Sequence, residues 1–99
     1  MAARFLVSSS PRFDRQAAKL HKRQGERFTA AFRAVIEMLE TDPSNTKGQY
    51  TKRIRKLSGI PLGQGQYRAR QGRYRFRYDL FDREVRLVFC GLRREDTYK

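Results

Sequence analysis

Tyr74-Arg75-Phe76-Arg77-Tyr78-Asp79-Leu80 alternates an apolar with a charged residue along its whole length. Side chains on a strand point to opposite faces in turn. The pattern therefore predicts a strand with Tyr74, Phe76, Tyr78 and Leu80 on one face and Arg73, Arg75, Arg77 and Asp79 on the other. Tyr67-Arg68-Ala69-Arg70 before it and Val85-Arg86-Leu87-Val88-Phe89-Cys90 after it repeat the scheme, with residues 71–73 and 81–84 as turns. Together they predict an antiparallel three-stranded meander. Its apolar face is formed by Tyr67, Ala69, Val85, Leu87 and Phe89 beside the central strand's aromatics. The opposite face carries Arg68, Arg70, Arg73, Arg75, Arg77 and Arg86 on strands ~5 Å apart. Like charges placed opposite one another destabilise a sheet, and a solvated face ordinarily mixes signs. Here Asp79 stands nearly alone, so the face reads as a phosphate-binding surface. Arginine suits that task because its planar fork grips phosphate through two parallel hydrogen bonds and stays charged.

Something must cover the apolar face, and the N-terminal half supplies it. Residues 4–8 alternate as a short first strand, with Phe5 and Val7 on one side. Ser10-Pro11 is a helix cap followed by proline at the first helical position. Phe13, Ala17 and Leu20 then recur at helical spacing, predicting a helix over residues 11–23 that Gly25 interrupts. A second helix over residues 26–40 carries the stripe Phe28, Phe32, Val35, Ile36 and Leu39, which reads as core, and Asp42-Pro43 stops it. The fold class is α+β: a short N-terminal strand, an antiparallel two-helix hairpin and the meander, with both helices on one face of the sheet. Residues 1–99 are read as one domain. Residues 44–66 read as a loop anchored by Ile54 and Leu57. Its Lys47, Lys52, Arg53, Arg55 and Lys56 form either a solvated linker or a basic rim beside a cleft.

The composition points the same way. Lysine and arginine total 23 against 10 aspartate and glutamate, a formal charge of +13. Fourteen of those cations lie in residues 51–99. A field of this strength favours a polyanionic partner, nucleic acid or ribosome, and the C-terminal half as the binding half. Cys90 is the only cysteine, which excludes an intrachain disulfide and a cysteine metal cluster; it reads as an apolar filler on the last strand. No stretch approaches the ~18 apolar residues of a membrane span, and the expected setting is the cytoplasm without membrane contact. His21, the only histidine, reads as a helix-surface residue. No metal-ligand spacing and no phosphate-cradling glycine loop is found, so neither metal nor cofactor is expected.

The order strand, helical hairpin, loop, three antiparallel strands resembles the RelE/ParE superfamily of type II toxin–antitoxin toxins over essentially the whole chain. The matching pieces are Pro11-Arg12-Phe13-Asp14, Leu39-Glu40-Thr41-Asp42-Pro43 and Arg55-Lys56-Leu57-Ser58-Gly59, followed by Tyr67-Arg68-Ala69-Arg70, Gly72-Arg73-Tyr74-Arg75-Phe76-Arg77-Tyr78 and Arg94-Glu95-Asp96-Thr97-Tyr98. RelE-like members are ribosome-dependent endoribonucleases, whereas ParE-like members poison DNA gyrase. The resemblance to the RelE branch, which the expectation favours, implies that Arg75 contacts the scissile phosphate. Arg68 and Arg70 then stand where that branch carries basic residues, Arg93 or Arg94 matches the cation after the last strand, and Tyr98 the C-terminal tyrosine. Arg75, Arg70, Arg68, Arg94 and Tyr98 are thus the candidate catalytic residues. Arg73, Arg77, Arg86, Arg93, Lys52 and Lys56 are the candidate RNA-binding ones.

The implied activity is metal-independent mRNA cleavage that inhibits translation, with a cognate antitoxin protein, mRNA and the ribosome as partners. A homodimer and a heterotetramer with the antitoxin both stay open. One departure stands out. Arginines occupy positions where RelE proteins present lysines, and arginine does not give up a proton to serve as a base. Lys52, Lys56, Tyr98 or a ribosomal group is left for that step. A gyrase inhibitor and a non-catalytic RNA- or ribosome-binding module are the alternatives.

Overall fold

In a computed structural model that describes residues 4–93, the chain runs through β1 (Leu6–Ser9), α1 (Pro11–Gln24), α2 (Glu26–Thr41), β2 (Ile54–Lys56), β3 (Tyr67–Gln71), β4 (Tyr74–Phe81) and β5 (Glu84–Leu92). Ser10 caps α1. Its hydroxyl accepts from the Phe13 amide at 3.1 Å, and Pro11 fills the first helical position, where no amide is needed. Gly25, at φ +61°, donates its N–H to the His21 carbonyl, ends α1 and begins α2 at once. A side chain in that backbone conformation would be strained. After α2 the buried carboxylate of Asp42 accepts from the Thr46 and Lys47 amides at 3.0 and 2.8 Å, turning the chain beyond Pro43.

The strands form one sheet in the order β1-β5-β4-β3-β2. β3, β4 and β5 are the antiparallel meander that the alternation predicts. β1 adds to β5 in parallel, from Leu6↔Glu84 to Ser9↔Leu87. β2 adds to β3 antiparallel, with Ile54 opposite Ala69. This fifth strand lies inside the stretch read as loop. Only Ile54 of its residues is buried while Arg55 and Lys56 are exposed, so it offers no periodicity to read.

Both helices contribute to a core laid on one side of the sheet. The Phe76 ring, fully buried, lies stacked against Phe32 and Phe28 at 5.9 and 6.2 Å between centroids, with Phe13 at 6.4 Å. Tyr74 meets Phe28 edge-on at 5.5 Å. The phenylalanine stripe of α2 is therefore core. Each fully buried ring contributes about 1.5–3 kcal/mol, and the ring pairs add about 0.5–1.5 kcal/mol beyond area. Tyr78 donates its hydroxyl to the Pro43 carbonyl at 2.6 Å, and burial first of all holds the phenol far above its ordinary range, so it remains a donor.

Two residues lie where strict alternation does not put them. Arg77 pairs with Phe89 but Tyr78 with Leu87, so Val88 is an extra residue in β5, a bulge. Beyond it the inner position passes from Phe89 to Cys90, which is 3% exposed and pairs with Phe76. Phe89 turns to the arginine side instead. Cys90 fills the core as its composition suggests, and burial pushes its thiol up to about 12. Asp79, in turn, is not a solvated counter-charge among the arginines. It is 0% exposed.

Candidate nucleic-acid interface

Strand register sets the arginines in rows across the face opposite the helices. Arg70 of β3 pairs with Arg75 of β4. One step along, Arg55 of β2 pairs with Arg68 of β3, which pairs with Arg77 of β4. Hydrogen-bonded neighbours lie ~4.8 Å apart, close enough for like charges to repel. Arg68, Arg70, Arg75 and Arg77 are all half-buried, and the Nε atoms of Arg68 and Arg75 are themselves buried. Gly91 is the partner of Arg75 on β5, and it leaves that flank without a side chain of its own.

Within the rows, Arg77 holds the loop that precedes β3. Its Nε and Nη2 donate to the Gly65 carbonyl at 3.1 and 2.9 Å. The Gly65 amide donates to both Asp79 carboxylate oxygens at 3.1 Å, and the Gln66 amide to one of them at 3.0 Å. A carboxylate that accepts amide hydrogens in this way is satisfied without an ion pair. Residues 63–66 are thus fastened over one end of the face. A Cβ on Gly65 would stand 2.9 Å from both Arg77 Cβ and Val88 Cγ2, and its φ is +85°, so only glycine fits. Alternation alone gave no sign of this latch; a lone acid among arginines on a predicted strand was its only trace.

At the other end, Lys52, Arg53, Arg70, Gln71, Gly72 and Arg93 line a polar cavity of about 170 Å³. Arg70 is fixed there by its amide, which donates to the Arg53 carbonyl at 2.9 Å, and by Nη2, which donates to the Lys52 carbonyl at 3.4 Å. The Arg93 amide donates to the Arg73 carbonyl at 2.6 Å, which brings the end of β5 alongside the turn before β4. Four cations around so small a cavity are chemically suited to an anion of phosphate dimensions.

Of the other residues singled out in the sequence, Lys52 joins this cluster. Lys56 does not. It pairs with Tyr67, its ammonium lies 5.7 Å from the centre of that ring, and Tyr67 stacks on Tyr78 on the helix side. Arg73 sits in the exposed turn and lines a cavity with Arg27, Ala30 and Ala31 of α2 rather than the rows. Arg86 is exposed and pairs with Asp79, several residues from Arg75. Arg94 and Tyr98 lie outside the described residues. His21 is exposed on α1 and its Nδ1 meets the Thr29 hydroxyl at 3.1 Å. Phe89 is the residue that the alternation misplaced onto the core side. The Val88 bulge brings it beside the rows, with the Arg12 guanidinium 6.0 Å from its ring centre.

A basic face of strand arginines backed by a helical pair is the arrangement expected from the sequence resemblance. A family model described as the ParE toxin of the type II toxin–antitoxin system, parDE, matches residues 7–97, and the chain belongs to that family. It is a type II toxin of the RelE/ParE superfamily, with a cognate antitoxin as its partner. No curated protein and no solved structure matches it. Among the described residues no helix is long and apolar enough to cross a membrane.

Proposed function

We propose that this toxin is a ribosome-dependent mRNA endoribonuclease whose arginine rows bind the scissile phosphate. The observation that carries the reading is the Arg70↔Arg75 pair at the edge of a cavity whose other cations are Lys52, Arg53 and Arg93. In the reaction the 2′-oxygen of the RNA attacks phosphorus as the bond to the 5′-oxygen breaks. A 2′,3′-cyclic phosphate and a 5′-hydroxyl end result. Negative charge builds on the non-bridging oxygens, and fixed guanidinium groups aimed at them stabilise that charge without reorganising. Arg75 and Arg70 take this role, supported by Arg68, with Arg94 sharing it as the resemblance implies. Arg73, Arg86, Arg93 and Lys52 bind the flanking strand. Lys52, Tyr98 or a ribosomal group accepts the 2′-hydroxyl proton, since arginine cannot. Lys56 is less suited because it lies on the opposite face.

A second reading, inhibition of DNA gyrase, is favoured by the ParE description of the matching family and by the rows being built of arginine alone. Mapping of new RNA 5′ ends after brief induction in cells separates the two. The nuclease reading expects 5′-hydroxyl ends inside translated messages, present with wild type and gone with Arg75→Ala. Growth arrest with no new ends would overturn it.

A further inference from the structure

Phe89 is an aromatic ring that the fold goes out of its way to place. Without the Val88 bulge it would point into the core, as the alternation of β5 demands. With it, Phe89 lies on the arginine face, paired with Arg77 and only half-buried. A Cβ on Gly91 would stand 3.0 Å from Phe89 Cζ, so the ring reaches along the strand over the glycine that pairs with Arg75. Bulges are a common means of re-aiming a side chain beside a functional site. Here the ring stands at the β5 end of the Arg68–Arg77 row and reaches toward the glycine beside Arg75.

Around it is a cavity of about 290 Å³ lined by Arg12, Gly63, Gln64, Arg77, Val88 and Phe89. That is at the lower bound of about 300 Å³ for small-molecule sites, so it suits one planar group. The Arg12 guanidinium caps the ring at 6.0 Å. A base stacks at a spacing of ~3.4 Å, so a sandwich between ring and guanidinium needs a shift of only about 1 Å by an exposed arginine. The Gln64 amide offers both a donor and an acceptor for the edge of a base. Phosphate rows with a neighbouring ring and guanidinium are the features by which proteins hold unpaired nucleotides.

We propose that the groove between Phe89, Arg12 and the Gly63–Gln64 turn binds one unpaired nucleobase of the RNA whose phosphates lie on the arginine rows. The inference rests on the RNA reading above and adds to it a subsite for a base. Phe89 and Arg12 stack on that base, and the latched residues 63–66 form its wall.

The test compares two probes with the full-length chain: an adenosine hexamer, and a hexamer of the same ribose–phosphate backbone that lacks every base. Wild type should bind the adenosine hexamer at least about fivefold more tightly, the lower range for one stacked base. Phe89→Leu should weaken binding of the adenosine hexamer and leave the abasic one unchanged, and Arg12→Ala should weaken the adenosine hexamer more than the abasic one. Phe89→Tyr should retain the preference, and thermal melts of each variant report on folding. Equal loss on both probes with Phe89→Leu, or no loss on either, would overturn the subsite. If wild type binds both hexamers alike with a steep salt dependence, the phosphate reading stands and the base site falls. Binding of neither hexamer removes the base site, and the phosphate reading is then decided by cleavage on the ribosome. Preferential binding of an acidic peptide over the adenosine hexamer would make the groove a protein site and overturn the proposal.

Discussion

Both carboxylate oxygens of Asp79 accept from the amide of Gly65, at 3.1 Å each, while Arg77 holds the carbonyl of that same glycine. The acid in the middle of an arginine-rich strand is therefore a fastener. Asp79→Ala strands two buried amides, and each such loss costs about 1–3 kcal/mol. Urea denaturation should show a drop of about 2–4 kcal/mol, with the Gly65 and Gln66 amides exchanging faster. A variant as stable as wild type would show that residues 63–66 are held by something else.

Arg75 and Arg77 neighbour one another on the same face yet should respond differently to truncation. Arg75→Ala relieves repulsion with Arg70, and the variant should still fold cooperatively in a thermal melt. Growth arrest on induction should nonetheless be abolished. Arg77→Ala removes two charge-assisted hydrogen bonds and should destabilise by about 1.5–3 kcal/mol. Retained growth arrest by soluble, folded Arg75→Ala would take Arg75 out of the site.

How much was legible follows from which interactions leave a periodic trace. The helices, the meander and the arginine face all rest on alternation or helical spacing, and their ends agree with the structure to within about two residues. β2 carries a single buried side chain, so nothing in its sequence distinguishes it from a loop. The Val88 bulge is one inserted residue in an apolar run, and Val88-Phe89-Cys90 reads equally well in either register; the choice is made by packing of Cys90 on Phe76. The role of Asp79 depends on amides fourteen and thirteen residues away, which no local pattern encodes. Of the candidate cations, register unites Arg68, Arg70, Arg75 and Arg77, and the loop adds Lys52. The sequence could not foresee that Lys56 belongs to the other side.

The antitoxin should act on the arginine face. A partner that neutralises this much clustered charge has to bring acidic groups or cover the rows. Phenylglyoxal should modify Arg68, Arg70 and Arg75 several-fold more slowly in the complex than in the isolated toxin. Equal rates would place the inhibitory contact elsewhere.

Cys90 offers a check on the bulge register. Its buried thiol, raised from an ordinary 9.0 to about 12, should react with a disulfide reagent at pH 8 far more slowly in folded than in urea-unfolded protein. Because the fold favours the neutral thiol, its contribution to stability is complete below pH 9. It is lost as the pH climbs from there toward about 12. Equal labelling rates in the two states would mean that Cys90 faces solvent and that the bulge is misplaced.

Primer extension on an mRNA translated in a purified, reconstituted system, with gyrase supercoiling assayed alongside, tests the central claim most directly. Wild-type toxin should cut the message only while ribosomes translate it and leave supercoiling untouched. Arg75→Ala should leave the message whole. Tyr98→Ala should slow cleavage by on the order of 100-fold, as lost orientation of the 2′-oxygen would, without altering salt-dependent binding to ribosomes. Intact messages with supercoiling arrested would contradict the nuclease account and assign the arginine face to gyrase.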